Sequence, residues 1–154
     1  MANTQAICNS FKSEILSGIH ALGTSVVRAG TGADTIKSAL YLASATVNYD
    51  TTAYSATGEV SGTGYSAGGV TVTNATAPTN TTGASGVGYW TPSANIVYNT
   101  VTLTTAFDAA LLYNSTQGNK GIGVFTFGSQ TITAGTFTLT VPGNTSSTAL
   151  IRLS

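Results

Sequence analysis

Residues 101–141 read VTLTTAFDAALLYNSTQGNKGIGVFTFGSQTITAGTFTLTV, and how this run alternates decides the fold class. At its end, Phe137, Leu139 and Val141 alternate with Thr136, Thr138 and Thr140. Successive strand side chains point to opposite faces, so this pattern predicts a strand with one buried and one wet face. Upstream, 121–127 (GIGVFTF) is apolar at Ile122 and Val124, then changes parity to Phe125 and Phe127. A parity change predicts either a bulge or a strand covered on both sides. Gly128-Ser129 and Ala134-Gly135 lie between these runs. Glycine readily supplies the positive φ of tight turns, so the expectation is a meander of three strands with two reversals.

Outward from this region the same signals recur. Residues 96–104 alternate at Val97, Val101 and Leu103; 109–113 are apolar and lead into the turn-rich NSTQGN; 149–153 (ALIRL) and 70–73 are further short strands. In 35–42 (TIKSALYL), Ile36, Leu40 and Leu42 share one face while Lys37 and Tyr41 share the other, which predicts another half-buried strand; 24–28 is a further short candidate. Tyr89 and Trp90 provide an aromatic anchor for a core or an interface. At the start of the chain, Ile7, Phe11, Ile15, Ile19 and Leu22 form a helical stripe, with Gly23 where a left-handed terminator belongs. This predicts an amphipathic helix over 4–22. The expected architecture is an all-β, single-domain β-sandwich or jelly roll of about eight strands (24–154), with an N-terminal helix within 1–23 that covers the sheet or docks on a partner.

Only 6% of the 154 residues are charged, against about 25% in ordinary globular proteins, so the surface is expected to be made of hydroxyls and amides. Five basic and five acidic residues give zero net charge, and no basic run exists. Phosphate neutralisation lacks its means, and nucleic acid is not an expected partner. Zero charge with a mean hydropathy of +0.21 leaves copies little mutual repulsion and favours association. Cys8 is the sole cysteine, which excludes an intrachain disulfide and a thiolate metal cluster. The opening MANTQAICNSFK lacks the basic and apolar regions of a secretory leader, and no apolar run approaches the roughly 18 residues of a membrane helix. The expectation is a protein made in a cytoplasm, without a membrane partner.

Catalytic and ligand-binding signals are weak. His20, the one histidine, would need an aligned carboxylate and a serine at a strained elbow, and no G-x-S-x-G motif occurs. Asp50 and Glu59 are the candidate carboxylate pair for glycoside hydrolysis. Asp34, Asp50, Glu59 and Asp108 lack calcium-loop spacing, and Gly62-Thr63-Gly64 does not open a helical pattern as a phosphate loop does. No metal, cofactor or catalytic residue is expected. Two polar, glycine-rich stretches, 46–69 and 74–88, are long for loops, and long loops in compact domains usually carry function. Tyr49, Tyr54 and Tyr65 stud the first.

Residues 34–42 (DTIKSALYL) followed by 51–73 (TTAYSATGEVSGTGYSAGGVTVT) resemble a family of small structural proteins of tailed bacteriophages. In that family a D-T-I-K-x-A-L-Y strand precedes Y-x-x-T-x-E-V-x-G-x-G-Y-x-x-G-G. Residues 107–116 (FDAALLYNST) and 124–142 (VFTFGSQTITAGTFTLTVP) look like the same family's second half. The likeness covers about two thirds of the chain and leaves out the N-terminal segment and 74–88. It implies a non-enzymatic virion component, assembled in the host cytoplasm. Such a component is either a head decoration (cement) protein bound to the major capsid protein and to copies of itself as a homodimer or homotrimer, or a tail, baseplate or fibre part touching the host surface or its glycans. The interface candidates are Ile7, Phe11, Ile15, Tyr49, Tyr54, Tyr65 and Trp90.

Overall fold

A computed structural model describes residues 3–16, 18–23, 32–82 and 86–154. The fold is all-β; the described residues form two antiparallel sheets and one short helix. In chain order the elements are β1 (Ala6–Ile7), α1 (Asn9–Leu16), β2 (Ile36–Leu42), β3 (Val70–Thr71), β4 (Thr79–Asn80), β5 (Gly88–Trp90), β6 (Ile96–Asn114), β7 (Lys120–Leu139) and β8 (Ile151–Leu153). The five-stranded sheet runs β1-β7-β6-β2-β3 and the three-stranded sheet β4-β5-β8. Side chains from α1 and both sheets, including Phe11, Leu40, Trp90, Phe107, Leu111, Ile122 and Ile151, meet in one buried cluster.

The expected three-strand meander is instead one long hairpin. β6 is 19 residues long and β7 is 20, paired from Asn114↔Lys120 to Ile96↔Leu139. The chain reverses at 115–119, where Gly118 and Asn119 take left-handed φ of 66° and 61°. The Gly128-Ser129 and Ala134-Gly135 sites are not reversals. There β7 continues as a strand while its register against β6 slips, from Ala109↔Thr126 to Phe107↔Gln130 and, around Ala134 at a left-handed φ of 47°, from Leu103↔Ile132 to Val101↔Gly135. Extra residues on one strand bend and twist it without ending the pairing. Of the two readings of the parity change, the covered strand holds: Gly121, Ile122, Gly123 and Val124 are all buried, and pairing runs in unbroken register from Leu112↔Gly123 to Ala109↔Thr126, with slips only on either side.

The helix is shorter than its apolar stripe implied. Ile7 lies in β1, paired with Gly123 of β7, and α1 ends at Leu16. Gly18, not Gly23, is the left-handed terminator (φ 68°). Its N–H donates to the Ile15 carbonyl (3.1 Å), and that of Ile19 donates to the Glu14 carbonyl (3.0 Å). These two bonds close a Schellman motif and turn Ile19 and Leu22 off the helix axis. The N-terminal segment therefore extends the sheet as well as covering it: Cys8 N–H donates to the Ile122 carbonyl and Thr4 N–H to the Val47 carbonyl. The strand expected at 24–28 falls outside the described residues.

The long loop 43–69 folds back over β2 and β6. Backbone bonds from Val60 N–H to the Leu40 carbonyl and from Leu42 N–H to the Gly58 carbonyl fasten it. The approach is close enough to require glycine. A Cβ on Gly69 would stand 1.8 Å from the Ser38 carbonyl oxygen, and one on Gly64 (φ 77°) 2.2 Å from that of Thr100.

Candidate functional site

Three polar or concave features stand out. The first is the loop 43–69 itself, whose tyrosines converge on Glu59. Tyr54 donates to Glu59 Oε2 (2.6 Å), Tyr65 to Oε1 (2.7 Å), and the Gly68 N–H to Oε1 (2.8 Å). Tyr65 also accepts the Leu40 N–H (3.0 Å). Beneath them Tyr98 donates to the Ser38 carbonyl and Tyr113 to that of Gly68, with Tyr54 stacked on Tyr113 at 4.8 Å. Burial, and then the bond to the Glu59 carboxylate, push the Tyr54 and Tyr65 hydroxyls well above the ordinary phenol value. Tyr41, buried and donating to the Ser55 carbonyl, is raised to about 12. These phenols, as hydrogen-bond donors, brace the loop against the sheet beneath it.

The second feature joins the N-terminal segment to the hairpin. Asn114 Oδ1 accepts the Gln117 N–H (3.2 Å), so its amide nitrogen faces Asp34 Oδ2 (2.7 Å) and His20 Nδ1 (3.1 Å). His20 Nδ1 must then accept, which leaves Nε2–H to donate to Glu14 Oε2 at 2.8 Å. Lys120 Nζ reaches Glu14 Oε1 at 2.6 Å, and Asp34 Oδ2 also takes the Ala21 N–H. Burial alone would raise the Glu14 carboxyl, but the bonds from Lys120 and His20 outweigh it and hold it below the ordinary value. His20 thus does meet carboxylates, Glu14 directly and Asp34 through Asn114. Its side chain is nonetheless fully buried, and each ring nitrogen already has a partner.

The third feature is a largely apolar groove of about 480 Å³ between the end of α1 and the small sheet, lined by Ile15, Leu22, Pro78, Tyr89, Trp90 and Leu153 among others. Residues 24–31 and 83–85, which adjoin it in the chain, lie outside the described residues.

Measured against the sequence-derived candidates, the structure separates Asp50 from Glu59. Asp50 is exposed beside Asn9 (3.4 Å), while Glu59 sits among the tyrosines, so the two share no partner. No group of three or more His, Cys, Asp or Glu side chains suited to a metal occurs among the described residues. Of the interface candidates, Phe11 and Trp90 are core residues, and the indole N–H of Trp90 donates to the Thr76 carbonyl (2.9 Å). Ile7, Ile15, Tyr54 and Tyr65 are half-buried against that core, and only Tyr49 is substantially exposed, at 50%. Sequence reasoning missed the partnership of His20 with Glu14, Asn114 and Asp34, because no local spacing joins residues on three separate elements. Among the described residues no helix is long and apolar enough to cross a membrane. No family model, no curated protein and no solved structure matches the chain.

Proposed function

We propose that the chain is a non-enzymatic structural component of a bacteriophage particle, a head decoration protein that sits on the capsid lattice and ties major capsid subunits together. What supports this reading is the fate of the chemically able groups. Glu59, Glu14, His20 and Asp34 each hold one part of the chain to another, and the positions that carry the family resemblance, Glu59, Gly64, Tyr65, Gly68 and Gly69, are those that clamp the loop to the sheet. The outcome is a firmly braced, nearly uncharged β surface. Such a surface suits a lattice, where modest contacts repeated many times give strong retention.

The test is to compare particles made with and without the protein. Loss of a regular lattice density and earlier rupture on heating agree with the proposal; unchanged density and heat resistance reject it. The alternative is a tail, baseplate or fibre component whose polar loop from Tyr49 to Tyr65 stacks its rings on host glycans. With Tyr54 and Tyr65 bound to Glu59, that version retains only Tyr49.

A further inference from the structure

The five-stranded sheet has one long open edge. Its far side is covered along β2, where β3 pairs with Lys37 and Ser38, the Val72 N–H reaches the Ile36 carbonyl, and Val60 and Gly58 continue the line. On the near side β1 pairs with β7 only at Gly123 and Val124. Among the described residues nothing pairs with the outer edge of β7 from there to Leu139. That edge carries no charge and no proline, two of the usual devices that protect an edge strand, and only the register slips near Gln130 and Gly135 interrupt it. Beyond the slips β7 is regular again, with Phe137, Thr138 and Leu139 opposite Tyr98, Val97 and Ile96.

We infer that this last segment of β7 is a dimerisation edge, which pairs antiparallel with the same segment of a second copy about a two-fold axis at Thr138. Three observations choose a second copy as the occupant. Residues 136–140 read TFTLT, which is symmetric about Thr138 in polarity. Phe137 then lies opposite Leu139 of the second copy on the core face, and threonine lies opposite threonine on the wet face, as cross-strand pairing prefers. Phe137, Leu139 and Val141 are only half-buried in the single chain, while Thr136, Thr138 and Thr140 are exposed. An apolar slot of about 260 Å³ lies on the face shared by β6 and β7, lined by Ile96, Ala110, Leu112, Phe125, Leu139 and Leu150 among others, so a strand added along β7 would border apolar surface as well as satisfy backbone groups. Finally, a neutral edge meets its own copy without like-charge pairs. Because the far edge of the sheet is already covered, edge to identical edge is the one long pairing that the described residues leave open to two copies, and it closes as a dimer and does not propagate.

The inference stands on the edge alone and is tested in solution, so it succeeds or fails separately from the capsid reading. The full chain at about 100 μM is expected to show by light scattering twice the 15.5 kDa chain mass. Thr138→Lys, at an exposed position, should keep the monomer's circular dichroism and melting temperature but place two ammonium groups together at the axis, weakening the dimer about tenfold or more. Thr138→Cys should form an intermolecular disulfide on mild oxidation, because residues facing each other across an antiparallel pair lie about 4.5 to 5.5 Å apart at Cα, within disulfide reach. The buried Cys8 does not compete. A monomer or trimer of the unaltered chain overturns the inference. So does a dimer that survives Thr138→Lys undiminished, or one in which Thr138→Cys stays reduced.

Discussion

Replacing Glu59 probes whether the tyrosine loop is braced as described. Its carboxylate accepts three hydrogen bonds, from Tyr54, Tyr65 and the Gly68 N–H. Hydrogen bonds to a charged group contribute about 1.5 kcal/mol each at the lower end of their range, and because Glu59 is half-buried the expected cost of Glu59→Ala is about 3 kcal/mol. Glu59→Gln retains one acceptor and should cost about half of that. The two tyrosines should rank unequally. Tyr54→Phe removes one bond, whereas Tyr65→Phe also orphans the N–H of the fully buried Leu40 and should cost about 1 kcal/mol more. Urea unfolding of the four variants gives the energies, and amide hydrogen exchange across 54–69 locates the loosening. A Glu59→Ala loss below about 1 kcal/mol, or exchange in 54–69 no faster than in the unaltered chain, would refute the bracing argument.

Three further outcomes follow from the same geometry. The carboxyl of Glu14 is held below its ordinary value of 4.5, so its contribution is present above that pH and disappears as pH falls through the lowered value. Urea midpoints should therefore show the gap between the unaltered chain and Glu14→Gln closing below about pH 4.5. The phenols of Tyr41, Tyr54, Tyr65, Tyr98 and Tyr113 are raised by burial; their contribution is complete below the ordinary value of 10.0 and is lost as pH rises above it. Phenolate absorbance should thus appear for these groups only together with alkaline unfolding. Trp90→Ala removes a core side chain and its bond to Thr76 and should cost about 3 to 5 kcal/mol by thermal or urea unfolding.

Local alternation made the β class legible. Residues 136–139 of the TFTLTV run and 36–42 lie in strands, and the turn-rich 115–119 is the true reversal of the hairpin. At Gly128 and Gly135, where glycine suggests a reversal, it marks irregular pairing instead. A bulge and a turn use the same residue, and only the partner strand distinguishes them. The stripe from Ile7 to Leu22 is not one helix because three of its members lie outside α1: Ile7 pairs with β7, and Ile19 and Leu22 follow the Gly18 cap, Leu22 joining the core. Tyr54 and Tyr65 read as surface residues because no apolar periodicity surrounds them. Their true partner is Glu59, five and six positions away, and the loop brings the three together only by lying flat on β2 through its glycines. The network around His20 was out of reach for a related reason: 94 positions separate His20 from Asn114, and only the sheet order makes them neighbours.

The most direct measurement of the account is the number of copies in purified phage particles, by quantitative mass spectrometry against the major capsid protein. A lattice decoration predicts copies on the order of hundreds per particle, since each repeated site takes one. Absence of the chain from washed particles would contradict the account outright, and a count of a few dozen or fewer would move the protein from head to tail.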